Sequence, residues 1–262
     1  MTLAFTPIES NPPPPSQTVI VPAYNESFRI ERSLRTILKY LNRQHYPADV
    51  MLVDDGSTDD TAAVATSMVA RYPNLSVHSI PHAGKAAAVL YGLEHATGSL
   101  ILFTDADLAT PITYLGDFRE AVTNGADVVI GSREGKTASR VGEPAFRHLM
   151  GRGFNALVRV LLLPDIHDTQ CGFKLFTAGA RDQILPRLRL YRGQDGDFET
   201  PKVTAFDVEL LVVARRLGLE TVVTPVTWTF GERSKVNPVG DTITNFSDVA
   251  HVKWNDIRGR YR

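Results

Sequence analysis

Apolar and polar positions along this chain switch repeatedly between two rhythms. Thr18-Val19-Ile20-Val21 is a short β-branched run closed by Pro22-Ala23-Tyr24-Asn25, and it predicts a strand. Ile30, Leu34, Ile37, Leu38 and Leu41 then recur at spacings of three and four, which predicts a helix with one apolar face. Val50-Met51-Leu52-Val53 reads as a second strand ending at Asp54-Asp55-Gly56-Ser57. Thr58 or Asp59 can cap the helix that follows, whose small apolar face runs through Ala62, Ala65 and Val69. Leu75 to Ile80 predicts a third strand and Lys85 to His95 a third helix; Leu100–Phe103 and Ala126–Ile130 predict two more strands. Strand and helix alternate, so the expected class is α/β, a mostly parallel Rossmann-like sheet with helices on both faces. Four consecutive prolines end at Pro15 and read as an extended tether over residues 1–17. A single domain is expected over 18–240, then a basic amphipathic segment over 241–262, with an exposed loop from Tyr191 to Pro201.

Composition narrows the classes. With 262 residues, 43% hydrophobic and 22% charged, the chain can bury a large core. A net charge of −1 gives no electrostatic case for a nucleic-acid partner. The single Cys171 excludes an internal disulfide and reads as a small buried hydrophobe. Met1 to Ser16 lacks the order of a signal peptide, and no apolar run reaches the ~20 residues that span a bilayer. The expected location is the cytoplasm, with peripheral attachment to the cytoplasmic membrane face as the other reading.

Chemistry concentrates at strand ends. Asp105-Ala106-Asp107 directly follows an apolar run, so two carboxylates stand at a sheet edge where Mg²⁺ or Mn²⁺ could bind and neutralise a diphosphate. A solvated turn is the alternative for that motif alone. Pro22 to Glu26 and Asp54 to Ser57 fall at two further strand ends, and carboxylates gathered on one rim repel unless a cation joins them. Gly84-Lys85 before a helix could place an ammonium and backbone N–H groups near a phosphate, or could be a solvated helix start. Neither glycine-rich phosphate-loop signature is present. The seven histidines show no metal-ligand spacing and read as surface or supporting residues; Trp228 and Trp254 read as packing residues.

Taken in order, Pro22-Ala23-Tyr24-Asn25-Glu26, Val53 to Asp59, Gly84-Lys85, Asp105-Ala106-Asp107 and Gly131-Ser132-Arg133 resemble family 2 glycosyltransferases of the GT-A fold. Asp168 to Phe176, Phe206-Asp207-Val208-Glu209-Leu210-Leu211 and Ser234-Lys235-Val236 look like the dolichyl-phosphate glucosyltransferase branch, which is related to dolichyl-phosphate mannose synthases. The resemblance implies an inverting transfer of a hexose, most readily glucose from UDP-glucose, to a polyprenyl phosphate. It also implies roles. Pro22, Ala23, Tyr24 and Glu26 would shape the nucleoside pocket, with Ser57, Lys85 and Ala106 also on the nucleotide-sugar side. Asp55 would hydrogen-bond the base; Asp107 would ligate the metal, with Asp105 reaching the ribose or the metal. Arg133 would face phosphate. Asp168, Lys174, Asp207 and Glu209 would lie on the acceptor side, either Asp168 or Asp207 being the base if one is needed, and Arg147 and Arg152 would add positive charge. Where mannose-synthase relatives often carry Gln two residues past the second Asp, this chain has Ala109.

Two segments could meet a membrane: Leu149, Met150, Phe154, Leu157, Val160 and Leu161 among arginines, and Ile243, Phe246, Val249, Trp254 and Ile257 among basic residues. Core packing explains each pattern equally well. The same fold acting on a soluble hydroxyl such as a glycerate or glycan is the nearest rival. A nucleotidyltransferase and a nucleotide-sugar sensor stand further off. A homodimer is compatible with the sequence.

Overall fold

The computed structural model describes residues 15–135, 137–142, 145–190, 206–230 and 238–262, with the side chains of 145–150 and 238–245 excepted. The expected loop Tyr191–Pro201, the tether up to residue 14, the Ser234-Lys235-Val236 motif and the side chains of Arg147, Leu149, Met150 and Ile243 lie outside the described part.

Among the described residues, seven strands form one sheet. β1 (Gln17–Ala23), β2 (Ala48–Asp55), β3 (Leu75–Ile80) and β4 (Leu100–Thr104) are linked by α1 (Ile30–Leu41), α2 (Thr61–Val69) and α3 (Lys85–His95). α4 (Leu115–Thr123) leads to β5 (Val128–Ser132), β6 (Ser139–Val141) and α5 (Ala145–Leu161). Then come β7 (Phe173–Thr177), α6 (Ala178–Ile184), α7 (Phe206–Arg216), β8 (Thr221–Pro225), β9 (Thr227–Thr229) and α8 (Pro238–Ile257). The strand order is β3-β2-β1-β4-β7-β5-β8, and β6 pairs with β9 in a separate ribbon. All pairings in the large sheet are parallel except those of β7, which runs antiparallel to β4 and β5.

Successive side chains of a strand face opposite sides of the sheet, and two cores follow. Val19, Val21, Val50, Leu52, Leu102, Val129 and Leu175 pack under α1, α2 and α4. Ile20, Met51, Val53, Ile101, Phe103, Ile130 and Phe176 pack under α3, α6 and α7, with α5 and α8 beyond. The five apolar residues that predicted α1 are all buried, each contributing about 1.5–3 kcal/mol. The same alternation carries Lys174 to the second face beside Phe103, its register partner, where it is completely buried.

The structure corrects some local expectations. Asp60 occupies the residue before α2 without a side-chain cap bond, while Asp59, one of the two expected caps, accepts from the Thr61 N at 3.0 Å; the inner face of α2 is Thr61, Ala65 and Met68, with Val69 exposed. The fifth strand sits two residues further along than expected, at Val128–Ser132. α8 runs through the expected boundary at 240–241. Phe154 and Val158 of α5 are core residues with Leu157 and Leu161 packed against them, so the described part of that face is turned inward except for Val160; on α8, Val249 and Val252 are core residues while Phe246, Trp254 and Ile257 are exposed. Trp254 is exposed instead of packed, with Arg258 stacked over it at 4.3 Å. No described helix is long and apolar enough to cross a membrane.

Candidate active site

The parallel strands β1, β2, β3 and β4 end on one rim, and the loops leaving them carry the candidate residues. Pro22 and Ala23 are the buried end of β1, and Asn25 follows with φ of 52°. Asn25 locks this loop to the next one: its Oδ1 accepts from the backbone N of Thr58 at 2.7 Å, and its own N donates to Ser57 Oγ at 2.9 Å. The Glu26 backbone N donates to Thr61 Oγ1 at 2.7 Å, and the Glu26 carboxylate meets Arg29 at 2.9 Å. Tyr24 stacks on His82 with ring centroids 4.1 Å apart and planes 15° from parallel.

Asp54 and Asp55 close β2. Asp54 Oδ1 is buried with no hydrogen-bond partner among the described residues. Asp55 is equally buried, but its carboxylate is hydrogen-bonded. It accepts from His82 Nδ1 at 2.9 Å, from the Ala83 N at 2.8 Å, and from the Gly84 N at 2.9 and 3.1 Å. The residue expected to meet a base is thus held by the loop that follows β3.

Asp105 and Asp107 follow β4 on a tight turn, with Leu108 N donating to Asp105 O at 3.0 Å and Leu108 itself left-handed at φ 50°. Ser33 of α1 donates to the Ala106 carbonyl at 2.6 Å, so Ala106 is an internal anchor whose side chain joins the core. Asp105 pairs with Lys85, and Asp107 lies 3.9 Å from Arg29. Burial, together with the charge of Asp105, pushes the Asp107 carboxyl above its ordinary value. Burial works against the Lys85 charge, but Asp105, Asp207 and Asp107 outweigh it and hold the ammonium above its ordinary value. Gly172 fits against Asp105 as no other residue could: a Cβ there would stand 2.0 Å from Asp105 Oδ2. Gly172 belongs to the Asp168–Phe176 stretch, but nothing local ties it to Asp105, 67 positions earlier.

No group of three or more His, Cys, Asp or Glu side chains suited to a metal occurs among the described residues. Two hard carboxylates on one turn, one of them destabilised by its neighbour's charge, still fit Mg²⁺ or Mn²⁺ of the kind completed by substrate phosphates and water.

Beyond the rim, Arg133 grips Asp168 with Nε and Nη2 at 2.8 Å each, and its backbone N adds a bond of 2.9 Å. Burial would raise the Asp168 carboxyl, but Arg133 outweighs it and holds the group far below the usual carboxylate range. Lys174 Nζ donates to Asp207 Oδ1 at 2.8 Å and to the Cys171 carbonyl at 2.5 Å, inside the protein. Asp207 lies in the first turn of α7. Glu209 does not face this site. It accepts from the Arg189 N (2.8 Å), the Leu190 N (2.9 Å) and the Tyr261 hydroxyl (2.8 Å), tying α7 to the chain end. Arg152 is exposed on α5, and Cys171 is buried, where burial raises its thiol.

The family model "Glycosyl transferase family 2" matches residues 18–185. A dolichyl-phosphate beta-glucosyltransferase of Dictyostelium discoideum is 31% identical over 259 residues, covering 94% of this chain and 76% of that one. The human protein of the same name is 30% identical over 260 residues, covering 94% and 77%. Among solved structures, Mycobacterium tuberculosis glucosyl-3-phosphoglycerate synthase with Mn²⁺, UDP-glucose and phosphoglyceric acid superposes with a TM-score of 0.62 at 17% identity, covering 92% of this chain and 80% of that one.

Proposed function

The chain belongs to glycosyl transferase family 2, and from that membership we propose that it moves glucose from UDP-glucose to a polyprenyl phosphate with inversion at the anomeric carbon. It is a glycosyltransferase with the GT-A fold. The acceptor class follows from the state of Asp168. A hydroxyl acceptor needs a base to take its proton, and a carboxylate stabilised by Arg133 far below its usual range is a weak one. Asp207 is likewise engaged, with Lys174. A phosphate acceptor arrives as an anion, needs no base, and asks for positive charge to place it. The names of the relatives support the same acceptor.

The roles divide along the rim. Tyr24, with Pro22, Ala23, Glu26 and Ser57 around it, forms the nucleoside end. Asp107, with Asp105, would hold Mg²⁺ or Mn²⁺, which when bound stabilises negative charge on the departing UDP. Lys85 stands beside Asp105 to meet the diphosphate. Arg133 orients at the sugar and acceptor end. Lys174, being buried, acts by holding Asp207 at the start of α7. Trp254 and Ile257 of α8, 53% and 67% exposed, stand beside Arg258, whose guanidinium lies over the Trp254 ring. They suit peripheral contact with an anionic lipid surface.

The test is transfer of glucose from UDP-glucose to short polyprenyl phosphates and to soluble hydroxyl acceptors, with UDP release measured and liposome co-sedimentation alongside. Transfer to the lipid phosphate is expected. Transfer to a soluble hydroxyl alone, without vesicle binding, overturns the acceptor and leaves the transferase. Release of pyrophosphate from nucleoside triphosphates would instead point to nucleotidyl transfer.

A further inference from the structure

We propose that Trp228, with Phe230 beside it, is the surface on which the first isoprene units of the acceptor lie, so that this part of the chain selects the hydrocarbon attached to the phosphate. The proposal rests on the polyprenyl phosphate reading above.

The ribbon of β6 and β9 sorts its side chains by chemistry. Its strands are parallel, with Ser139 opposite Thr227, Arg140 opposite Trp228 and Val141 opposite Thr229. Side chains alternate along a strand, so Arg140 and Trp228 share one face and Ser139 and Thr227 the other. The hydroxyls are engaged on that other face: Ser139 Oγ bonds Thr227 Oγ1 at 3.1 Å, and the Tyr114 hydroxyl donates to Thr227 Oγ1 at 3.2 Å. Phe230 returns to the first face, its ring centroid 5.9 Å from that of Trp228 and its plane tilted by 59°. Both rings are partly exposed, and no hydroxyl or amide side chain of the ribbon shares their face.

Backbone bonds fix this face against the reacting centre. The Thr229 N, next after Trp228, donates at 2.9 Å to the carbonyl of Ala109, just beyond Asp107. The Val226 N donates at 2.9 Å to the carbonyl of Ser132, next to Arg133. Trp228 is therefore tied on one side to the turn that carries Asp107 and on the other to the loop that carries Arg133. The Arg133 guanidinium stands 5.4 Å from its ring centroid, within the range of a cation over an aromatic ring. Arg140 braces the same loop through Glu134 at 3.0 Å and the Arg133 carbonyl at 3.3 Å.

The location suits an acceptor chain. The nucleoside end of the rim lies over β1, β2 and β3, on the far side of β4 from β7, β5 and β8. The β5 side is left to the sugar and the acceptor. A phosphate placed at the Arg133 end has its hydrocarbon attached directly, and hydrocarbon and aromatic rings both leave water when they meet. A sugar ring lying there instead would find no ribbon hydroxyl or amide to orient it.

Transfer from UDP-glucose with Mn²⁺ to dimethylallyl phosphate, with one isoprene unit, and to farnesyl phosphate, with three, tests this in the wild type, Trp228→Ala and Trp228→Phe. The readout is the ratio of kcat/KM for the longer acceptor to that for the shorter one within each protein, so general loosening cancels. The wild type should prefer farnesyl phosphate by about tenfold or more. A tenfold preference is about 1.4 kcal/mol, which at ~25 cal/mol per Å² asks for roughly 55 Å² of apolar contact, a fraction of the ~150–250 Å² that an aromatic side chain can bury. Trp228→Ala should bring the ratio near one, through the acceptor KM, and Trp228→Phe should keep most of it. Where Trp228→Ala does not fold, Trp228→Leu and Phe230→Ala are read by the same ratio, which each should lower. A wild-type ratio near one, or a ratio that the variants leave unchanged, overturns the proposal and leaves transfer to phosphates intact. A tenfold rise in the UDP-glucose KM of Trp228→Ala with the acceptor ratio kept assigns the ring to the sugar and overturns it too. Transfer by the wild type to soluble hydroxyls and to neither phosphate overturns the acceptor reading and this proposal with it.

Discussion

Arg133→Ala should destabilise the protein far more than the loss of an exposed ion pair would, because the Arg133 side chain is only 14% exposed. Asp168 is completely buried, and the variant removes both 2.8 Å guanidinium bonds while keeping the backbone bonds from residue 133 at 2.9 Å and from Gln170 N at 3.3 Å. An exposed ion pair is worth about 0–1 kcal/mol. Stripping one partner from a buried pair costs about 3–5 kcal/mol, because a charge is left inside without compensation. At roughly 2–4 °C per kcal/mol for a chain of this size, Tm should fall by roughly 6–20 °C. The pH dependence carries a second signature. The folded-state Asp168 carboxyl lies below its ordinary value: burial would raise it, and Arg133 more than reverses that. A depressed carboxyl contributes stability that is complete above its unfolded value of about 3.9 and is lost as pH falls through the lower folded value. The gap between wild type and variant should therefore be full at neutral pH and narrow in strong acid. Urea unfolding at neutral and acidic pH, with Asp168→Asn and the double variant alongside, measures both effects. In the double variant no charge is buried, so it should recover part of the loss. A cost below about 1 kcal/mol, typical of a surface pair, or a gap that does not change with pH, would refute the reasoning.

Asp107→Ala should abolish turnover and leave UDP binding insensitive to Mn²⁺, while chelator should weaken UDP binding to the wild type; full activity of the variant in chelator would exclude a metal role at this turn. Gly172→Ala should drive Asp105 from its place, since the added Cβ falls 2.0 Å from Oδ2, so Mn²⁺-dependent UDP binding should drop at least tenfold with an overpacking cost of about 1–3 kcal/mol in unfolding. Tyr261→Phe removes a 2.8 Å bond to the buried Glu209 carboxylate, and urea unfolding should show a loss of about 1.5–3 kcal/mol, the range for hydrogen bonds to charged groups.

The elements that could be read from the chain are those whose pattern is local. α1 announces itself because five apolar residues at helical spacing lie on one face, and α3 because its bounds coincide with a glycine entry and the end of an Ala-rich run. α2 was read with the wrong inner face because its residues are small and Met68 and Val69 are neighbours that either face could claim. β7 was unreadable as an antiparallel insertion. Its Lys174 looks like a solvent-facing position, and only Asp207, 33 residues later, makes burial tolerable there. The acidic motifs were legible as strand ends, but what each carboxylate touches was not. Asp55 meets a loop 27 to 29 residues on, and Glu209 meets the last turn of the chain. Those contacts belong to the tertiary fold, and they explain why Asp55 and Glu209 looked exposed to ligand in the sequence and are enclosed in the structure.

Clustered carboxylates on the rim suggested a missing cation, and the folded chain refines that inference. Asp55 is satisfied by N–H groups, Asp168 by Arg133, Asp207 by Lys174 and Asp105 by Lys85. Asp107 is less well served by cations: Arg29 stands 3.9 Å away and closer to Glu26, and its Oδ1 accepts only from the Ala109 N at 3.0 Å among the described residues. Burial and Asp105 then raise its carboxyl, the behaviour of a site short of positive charge. Asp107 would therefore be the principal ligand of a divalent ion, with Asp105 shared between that ion and the Lys85 ammonium. If Asp105 and Asp107 held such an ion, Lys85 would be left free of Asp105 to meet a diphosphate beside it. The lysine that pairs with Asp105 here would then serve the phosphates of the donor.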